Sequence, residues 1–446
     1  MINLFEKFDT DSLDFLRSQR IAGINIPTVV VYDDGFLPDD VDSPIKYYCN
    51  FKKEGKPLYF DKLPLPRFWR ITATAQKGEV YDLDKKKAEI HFVKADNNRL
   101  IREVDWLDNQ GQVRWTDHYN SKGTRYAQTY FNKEQTVLKK YFNDQGKNVI
   151  TVLPASGDIF LNYQGRHKHF EKLNDFLEDY LNERNYQLDH IFYNTLNIPF
   201  FLSLNLRQPG VDTLFWHEAV NSEVPGNMQY LMNIKTRTKH ILVQRYREWQ
   251  DKRKLFTKTA NVDFGYLGMI YPHPRGNQLR SNALILTNSD QIENLTELVT
   301  AMPKIHFNIA AVTEMSDKLM AFDQYQNVSL YPSAANDTIQ KLMKECDLYF
   351  DINYGNEILD AVRGAFEQNM LIVGFEDTIH NKQFISDKNV FSSRDILGMK
   401  QKVMDSLDNV RVMKNEIDYQ RKQAGDVTVA DYQKQIGALR NERIRQ

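Results

Sequence analysis

The chain of 446 residues has only two cysteines, Cys49 and Cys346. Two thiols cannot build a disulfide framework or a cysteine-rich zinc site, and this favours a reducing compartment. The basic excess that a general nucleic-acid binder needs is also missing, because 58 Lys and Arg face 59 Asp and Glu. No run approaches the roughly 18 apolar residues of a membrane span, and the acidic N-terminus does not resemble a signal peptide.

Motifs for common cofactors are absent as well. The β-branched run at 27–32 is followed by a loop at 33–40 whose single glycine, Gly35, lies among acidic residues that would repel a phosphate. There is no P-loop and no GxSxG motif. The histidines at 91, 118, 167 and 169 lack the spacing to cysteines or acids that is typical of a metal site. We therefore expect no metal and no cofactor.

The chain does have a repeat of turn residues, each following an apolar or small residue. Its members are spaced by 12, 12, 12, 12 and 11 positions: Asp84, Asp96, Asp108, Asn120, Asn132 and Asn143. Three of them are followed three residues later by a glycine: Gly111, Gly123 and Gly146. Asp or Asn opening a turn that ends in glycine, with stretches rich in Val, Thr, Tyr and Trp between the turns, predicts a long antiparallel meander.

A single-layer meander must cover part of one face, or it will aggregate. Two interpretations are open. The sheet packs on its own neighbouring domain, or it is a docking platform for another protein. For the second interpretation we predict a partner interface that contains the aromatic residues Trp106, Trp115, Tyr119 and Tyr126.

On both sides of the meander, short apolar strands alternate with helical patterns, which is typical of parallel sheets covered by helices. Asp11 and Ser12 read as the start of the first helix, and a helical pattern resumes at Phe170. Strands are predicted at 190–193, 213–216, 239–243, 283–286, 305–310, 328–331, 348–351 and 371–374, with helices at 337–345 and 357–366. The division expected is a first Rossmann-like domain of residues 1–50 and 170–272, an inserted β-sheet domain 51–169, a second Rossmann-like domain 278–409 and a helical C-terminal segment 410–446.

Two α/β domains with a cleft between them have the layout of a GT-B glycosyltransferase. Residues 354–373 resemble the segment in which retaining enzymes of this fold carry two glutamates that bind the donor sugar nucleotide. Here Asn356 and Gly364 take the two glutamate positions, while Glu357 and Glu367 are out of phase. The loop 287–294, where such enzymes place cations for the diphosphate, has two acids and no basic residue. We therefore expect no catalytic residue in this chain.

The whole chain resembles one family, the non-catalytic glycosyltransferase-stabilising subunits of accessory Sec systems in Gram-positive bacteria. The strings that carry the resemblance are DDGFLPDD at 33–40, VDWLD at 104–108, WHE at 216–218, VPGNMQ at 224–229 and NEILDAV at 356–362. The resemblance implies a GT-B fold with an extended β-sheet in the first domain. It also implies a complex with a catalytic O-GlcNAc transferase that modifies serine-rich repeat adhesins in the cytoplasm, and a peripheral contact with the inner face of the cell membrane.

The function predicted is thus that of a pseudoenzyme and chaperone, which stabilises its catalytic partner and helps to bind the adhesin acceptor before export. The alternative is an active retaining glycosyltransferase with an atypical donor site. For the acceptor we predict contacts in the cleft with aromatic residues at strand ends, namely Phe215, Trp216 and Tyr354. The competing interpretation is that these three side chains pack between the domains.

Overall fold

The computed structural model describes the chain except residues 53, 75, 94–98, 219–222, 256–258, 260 and 442–446. In the described residues the strands form three sheets of seven, ten and six strands. The seven-stranded and six-stranded sheets are parallel throughout, and the ten-stranded sheet, which is inserted in sequence within the seven-stranded one, is antiparallel. The predicted fold class, two Rossmann-like domains with an extended meander inserted in the first, is confirmed.

The strands, in chain order, are β1 Ile2–Phe5, β2 Thr28–Val30, β3 Val41–Asp42, β4 Arg70–Ala73, β5 Lys77–Asp82, β6 Lys85–Phe92, β7 Ile101–Leu107, β8 Val113–Tyr119, β9 Arg125–Asn132, β10 Gln135–Phe142, β11 Asn148–Leu153, β12 Asp158–Tyr163, β13 Arg166–Phe170, β14 Ile191–Tyr193, β15 Asp212–Trp216, β16 Thr238–Val243, β17 Asp263–Tyr266, β18 Asn282–Thr287, β19 His306–Ala311, β20 Val328–Tyr331, β21 Leu348–Asp351, β22 Leu371–Phe375 and β23 Val390–Phe391. The helices are α1 Thr10–Ile21, α2 Pro44–Cys49, α3 Leu173–Glu183, α4 Ile198–Asn205, α5 Gly226–Asn233, α6 Tyr246–Lys252, α7 Leu295–Ala301, α8 Asp317–Met320, α9 Asn336–Glu345, α10 Ala361–Glu367, α11 Ile396–Asp408, α12 Val410–Ala424 and α13 Val429–Asn441, with 3₁₀ turns at Phe60–Lys62, Ala321–Gln324 and Asp387–Asn389.

The first domain is a parallel sheet in the order β17-β16-β15-β14-β1-β2-β3. Its central strands are apolar on both faces because helices cover both sides. Helix α1 begins at Thr10, slightly earlier than the predicted start at Asp11 and Ser12. Asp9 is the residue that caps it, and its carboxylate accepts a hydrogen bond of 2.9 Å from the backbone N–H of Ser12.

The inserted sheet has ten strands in simple sequence order, from β4 to β13. The predicted glycines Gly111, Gly123 and Gly146 all adopt positive φ values of 75–80° at the turns. Asp108, Asn120 and Asn143 open these turns and accept backbone hydrogen bonds. The predicted turn residue Asp96 lies outside the described residues. The helical periodicity predicts that Phe170 belongs to α3. In the structure Phe170 is the last residue of β13, and α3 begins at Leu173.

Strands β10–β13 pack on helices α2 and α3 of the first domain. Tyr141, Ile150 and Leu161 lie in this covered face, and they share one apolar core with the outer side of the first sheet. Farther along the sheet, strands β5–β8 are covered on the opposite face by the connector between α2 and β4, with Leu63 at the centre of that small core. Among the described residues, the face of β9 and β10 that points away from α2 and α3 contributes no side chain to either core.

The second domain is a parallel sheet in the order β20-β19-β18-β21-β22-β23. Its predicted strands are present with small shifts at their ends. The predicted helix 357–366 is shorter than expected, since α10 begins only at Ala361. Leu359 and Asp360 have φ values of 54° and 48°, which a helix cannot accommodate, so 357–360 is a loop.

The C-terminal helices join the two domains. Helix α12 packs on the second domain through Met413 and Ile417, and α13 returns to α1, with Tyr432 and Ile436 buried. One apolar core contains residues of both domains, among them Phe15 and Phe366. The two domains therefore pack directly on each other.

Candidate functional site

In an open parallel sheet, ligands bind where two neighbouring strands send their loops in opposite directions, at the carboxyl ends of the strands. In the second domain this position lies between β18 and β21, because the chain runs outward from β18 to β20 and then restarts at β21. The loops that flank it are 288–293 and 352–360. These are also the segments in which the sequence predicts the degraded donor site.

The two loops bond to each other instead of leaving a crevice. Glu293 donates its N–H to the carbonyl of Ile352 at 2.8 Å, and Tyr354 donates its N–H to the carbonyl of Gln291 at 3.0 Å. The Tyr354 hydroxyl donates to the carboxylate of Glu293 at 2.6 Å. A Cβ on Gly355 would lie 2.0 Å from Asn288 Oδ1, so the loops touch without space for another group.

A half-buried histidine, His380, also contacts this loop. His380 Nδ1 lies 2.5 Å from Asp351 Oδ1 at the end of β21, and its Nε2 lies 2.6 Å from the carbonyl of Gly355. Glu357 does not point outward as a donor-sugar ligand would, since its carboxylate accepts the N–H of Val362 at 2.9 Å. Gly364 faces Met343. The chain's own hydrogen bonds thus occupy the position of a donor site.

The corresponding position in the first domain lies between β1 and β14 and is polar. Glu6 follows β1 and accepts hydrogen bonds from Thr195 at 3.0 Å and Asn197 at 2.9 Å, both of which follow β14. Nearby, Asp11 of α1 lies 3.7 Å from His217 and 3.3 Å from Arg245, which follow β15 and β16. This edge offers amide, carboxylate and guanidinium groups.

The three residues predicted to contact an acceptor fall into two groups. Phe215 and Trp216 are both 0 % exposed, so the prediction that they line the cleft is wrong in this structure. They end a parallel strand that is buried on both faces: Phe215 packs on Phe15, and Trp216 belongs to the core on the opposite side of the sheet. Tyr354 is 47 % exposed, on the closed loop of the second domain.

The four residues predicted for a partner interface also divide. Tyr119 and Tyr126 are buried in cores of the chain, so for these two the prediction is wrong. The Tyr126 hydroxyl reaches the carbonyl of Asp33 at 3.4 Å, across the junction of the sheet with the first domain. Trp106 and Trp115 are half-buried, with stacked rings whose centroids are 6.0 Å apart.

Trp106 and Trp115 begin a row that the sequence pattern alone did not reveal. The strand register places Trp106 beside Trp115, Trp115 beside Tyr130, and Tyr130 beside Leu138. We call these four residues the aromatic face. Asp117, on the same side of the sheet, accepts hydrogen bonds of 2.8 Å from Trp106 Nε1 and Gln128 Nε2, and Gln128 in turn accepts from the Tyr130 hydroxyl at 2.9 Å. The rings are thus held in fixed orientations.

Comparison with known proteins accounts for this combination of a closed donor position and an inserted sheet. Models of the GtfB N-terminal domain, the GtfB middle domain, the GtfB third domain and the GftB/GlyA-F C-terminal domain match residues 2–48, 69–171, 173–255 and 283–420. A UDP-N-acetylglucosamine–peptide N-acetylglucosaminyltransferase stabilizing protein GtfB of Limosilactobacillus reuteri subsp. suis is 53 % identical over 443 residues, or 99 % of this chain and 100 % of the relative.

The chain belongs to the GtfB family of glycosyltransferase-stabilising proteins. A solved GtfA/B complex bound to UDP and GlcNAc contains a chain that is 37 % identical, with a TM-score of 0.94 over 98 % of this chain and 99 % of that one. The pneumococcal O-GlcNAc transferase GtfA in complex with UDP and GlcNAc is only 12 % identical, with a TM-score of 0.55 over 99 % of both chains. This second likeness shows that the chain has the fold of a GT-B glycosyltransferase.

The relatives are named as stabilising proteins, and the closed donor position agrees with a non-catalytic subunit. Within the part of the chain that the structure describes, no cluster of His, Cys, Asp and Glu could hold a metal ion. The same residues include no helix of the length and apolarity that crossing a bilayer requires.

The chain also holds its two domains together with an ion pair that no sequence pattern indicates. Arg363 of α10 donates two hydrogen bonds to the carboxylate of Asp14 in α1, of 2.8 and 2.6 Å. Its Nε donates to Glu367 at 2.9 Å, and the guanidinium lies near the rings of Tyr271 and Phe384. The pair therefore joins the first domain to the helix that follows the closed loop.

The His380 contact predicts a pH-dependent stability. The hydrogen bond to Asp351 raises the pKa of His380 to about 9, above its ordinary value of 6.5. A folded pKa above the unfolded one means that this stabilisation is fully present below about pH 6.5 and is lost as the pH rises through about 9. We expect the His380→Gln variant, which cannot be charged, to be about 2 kcal/mol less stable near pH 6 and to differ little above about pH 9.5.

Urea unfolding of both chains across this pH range measures the difference. If the difference in unfolding free energy between the two chains stays constant with pH, His380 contributes by packing alone. A difference in unfolding free energy that grows as the pH rises would contradict the sign of the prediction.

Proposed function

We propose that this chain stabilises a catalytic O-GlcNAc transferase by binding it through the aromatic face of the inserted sheet. The single observation that carries the proposal is the row Trp106, Trp115, Tyr130 and Leu138. Side chains of this kind anchor protein interfaces when they are rigid and surrounded by polar groups. Among the described residues, Trp115, Tyr130 and Leu138 belong to none of the chain's own cores. The named relatives and the solved GtfA/B complex support this choice of partner.

A second part of the proposal concerns the acceptor, a serine-rich repeat adhesin. With its donor position closed, the cleft between the domains has no chemistry to perform and can hold a polypeptide. The polar edge around Glu6 and Asn197 offers hydrogen bonds to hydroxyl groups and to an extended backbone, and Tyr354 offers an exposed ring. We propose these residues as acceptor contacts in place of Phe215 and Trp216.

We further propose that the complex works in the cytoplasm, before export of the adhesin by an accessory Sec system, and that it associates peripherally with the inner face of the cell membrane. Two free, buried cysteines agree with a reducing compartment.

Co-expression with the catalytic transferase tests the stabilising function. We expect the two chains to co-purify and the transferase to gain soluble yield and thermal stability. A partner bound at a hundredfold excess over its Kd stabilises by about 2.7 kcal/mol. A soluble transferase whose yield and melting temperature do not change with this chain present would contradict the proposal.

The same preparations test the alternative, an active retaining glycosyltransferase. Because loops 288–293 and 352–355 are bonded together, the isolated chain should release no UDP from UDP-N-acetylglucosamine above a buffer control, while the complex should. Turnover by the isolated chain would favour the alternative.

A further inference from the structure

The two most exposed large apolar side chains lie at the same end of the inserted sheet. Phe68 is 84 % exposed and Leu83 is 81 % exposed. Phe68 precedes β4 and Leu83 follows β5, and the antiparallel register of these strands, with Arg70 beside Tyr81, brings the two side chains to one edge. Strand β4 is the last strand of the sheet. This end is therefore a projection tipped by two apolar groups.

Both residues are held there by the backbone. Phe68 has a φ of 74° and Leu83 a φ of 55°, in the left-handed region that bulky side chains seldom adopt. A turn at Leu83 would be more stable with Asn or Gly. Large apolar residues in strained, exposed turns are costly both in backbone energy and in hydration, which points to a role outside the folding of this chain.

The surroundings of these two residues are basic, although the whole chain has a net charge of -1. Residues 62–70 contain three basic side chains and no acid, and residues 85–87 are three consecutive lysines. We call the segments 62–70 and 82–87 the distal tip. Lys86 pairs with Glu79 and Glu89, but Arg67, Arg70 and Lys85 are exposed. The only acids in the two segments are Asp82 and Asp84.

We infer that the distal tip binds an anionic lipid surface, with Phe68 and Leu83 entering the boundary between headgroups and acyl chains. Apolar side chains on a projection, ringed by Lys and Arg, suit a flat anionic surface, in which apolar burial and charge attraction add. Part of segment 62–70 belongs to the connector-covered core, and its Trp69 ring lies 6.5 Å from that of Trp106, so the distal tip adjoins one end of the aromatic face. The inference rests on the proposed peripheral association, for which it names the contact surface and the lipid charge.

Co-sedimentation with lipid vesicles tests it, with the full chain alone and in its complex. We expect binding to phosphatidylglycerol vesicles, little binding to phosphatidylcholine vesicles, and a loss of binding as salt increases. The double variant Phe68→Ser, Leu83→Ser should bind at least about tenfold more weakly, and Arg67→Gln with Lys85→Gln should weaken binding to phosphatidylglycerol alone.

Matched controls lie elsewhere on the surface. Leu397 is 76 % exposed on α11, and Lys341 is an exposed residue of α9, so Leu397→Ser and Lys341→Gln should leave vesicle binding unchanged. Equal binding by the wild-type chain and the tip variants, or no binding of the wild type to phosphatidylglycerol, would overturn the inference. So would tip variants that lose the catalytic transferase, since the distal tip would then be a protein interface. Vesicle binding and co-purification with the transferase are separate measurements. A failure of this inference can therefore be told apart from a failure of the proposed stabilising function.

Discussion

A chain carrying Trp115→Ala and Tyr130→Ala should lose its catalytic partner while remaining folded. Both rings belong to the aromatic face, are half-buried and lie side by side in the sheet. Truncation of aromatic residues at the centre of an interface typically costs at least about 2 kcal/mol, which is about thirtyfold in affinity. The expected result is a fall in co-purification of at least this size, measured by titration of the two purified chains, with an unchanged melting temperature.

Tyr126→Ala is the matched control, since Tyr126 is an aromatic residue of the same sheet that faces the first domain. Removal of the Tyr126 ring leaves a cavity at the junction of the sheet with the first domain. The melting temperature of this variant should therefore fall together with its partner binding. If Trp115→Ala with Tyr130→Ala lowers the melting temperature as Tyr126→Ala does, the row is part of the core and the proposed interface is wrong. These point changes are cleaner than removal of the sheet, because strands β10–β13 share a core with α2 and α3.

The difference between Trp115 and Tyr126 marks the limit of the sequence pattern. The turn repeat predicts the meander because Asp, Asn and Gly impose local backbone geometry, which is readable from neighbouring residues. Which face of the sheet each aromatic residue occupies depends on bulges, and the register between β8 and β9 shifts after His118. The extra residue is Tyr126 on β9, which therefore lies with Ala127 in the core toward the first domain, whereas Tyr119 keeps the alternation of β8 and is buried in the connector-covered core.

The wrong predictions for residues in the cleft have a similar origin. Phe215 and Trp216 end a strand that helices cover on both sides, where every side chain is core whatever its chemistry. Leu359 and Asp360 adopt a left-handed backbone conformation, which a sequence normally indicates by a glycine, and neither residue is a glycine. The degraded donor motif, in contrast, was readable because it concerns the identity of single residues, Asn356 and Gly364, and the absence of cations from one loop.

The contact between Asp14 and Arg363 could not be predicted from sequence, because its members are 349 residues apart and belong to different domains. It should have the largest effect on stability. The side chains of Asp14 and Arg363 are 9 % and 14 % exposed. Arg363→Met keeps most of the stem but leaves the carboxylate of Asp14 buried without its partner. Breaking such a pair on one side costs about 3–5 kcal/mol.

The expected result is a clear fall in the midpoint of urea or thermal unfolding for Arg363→Met. The double variant Asp14→Asn, Arg363→Met should recover most of the loss, since the buried charge of Asp14 is then removed and only the more exposed carboxylate of Glu367 loses a partner. Arg247→Met is the matched control. Arg247 also joins the domains, through the carbonyl of Ile385 and the exposed Asp387, and an exposed pair of this kind contributes less than about 1 kcal/mol.

The effect of Arg363→Met on binding should distinguish acceptor binding in the cleft from partner binding at the aromatic face. If the pair fixes the width of the cleft, Arg363→Met should bind a Ser/Thr-rich acceptor peptide more weakly, yet should still co-purify with the catalytic transferase, because the aromatic face lies on the inserted sheet. A loss of stability no larger than that of Arg247→Met would show that the pair does not hold the domains together. Unchanged acceptor affinity in a destabilised Arg363→Met chain would show instead that the acceptor binds outside the cleft, and the proposed contacts at Glu6, Asn197 and Tyr354 would be wrong.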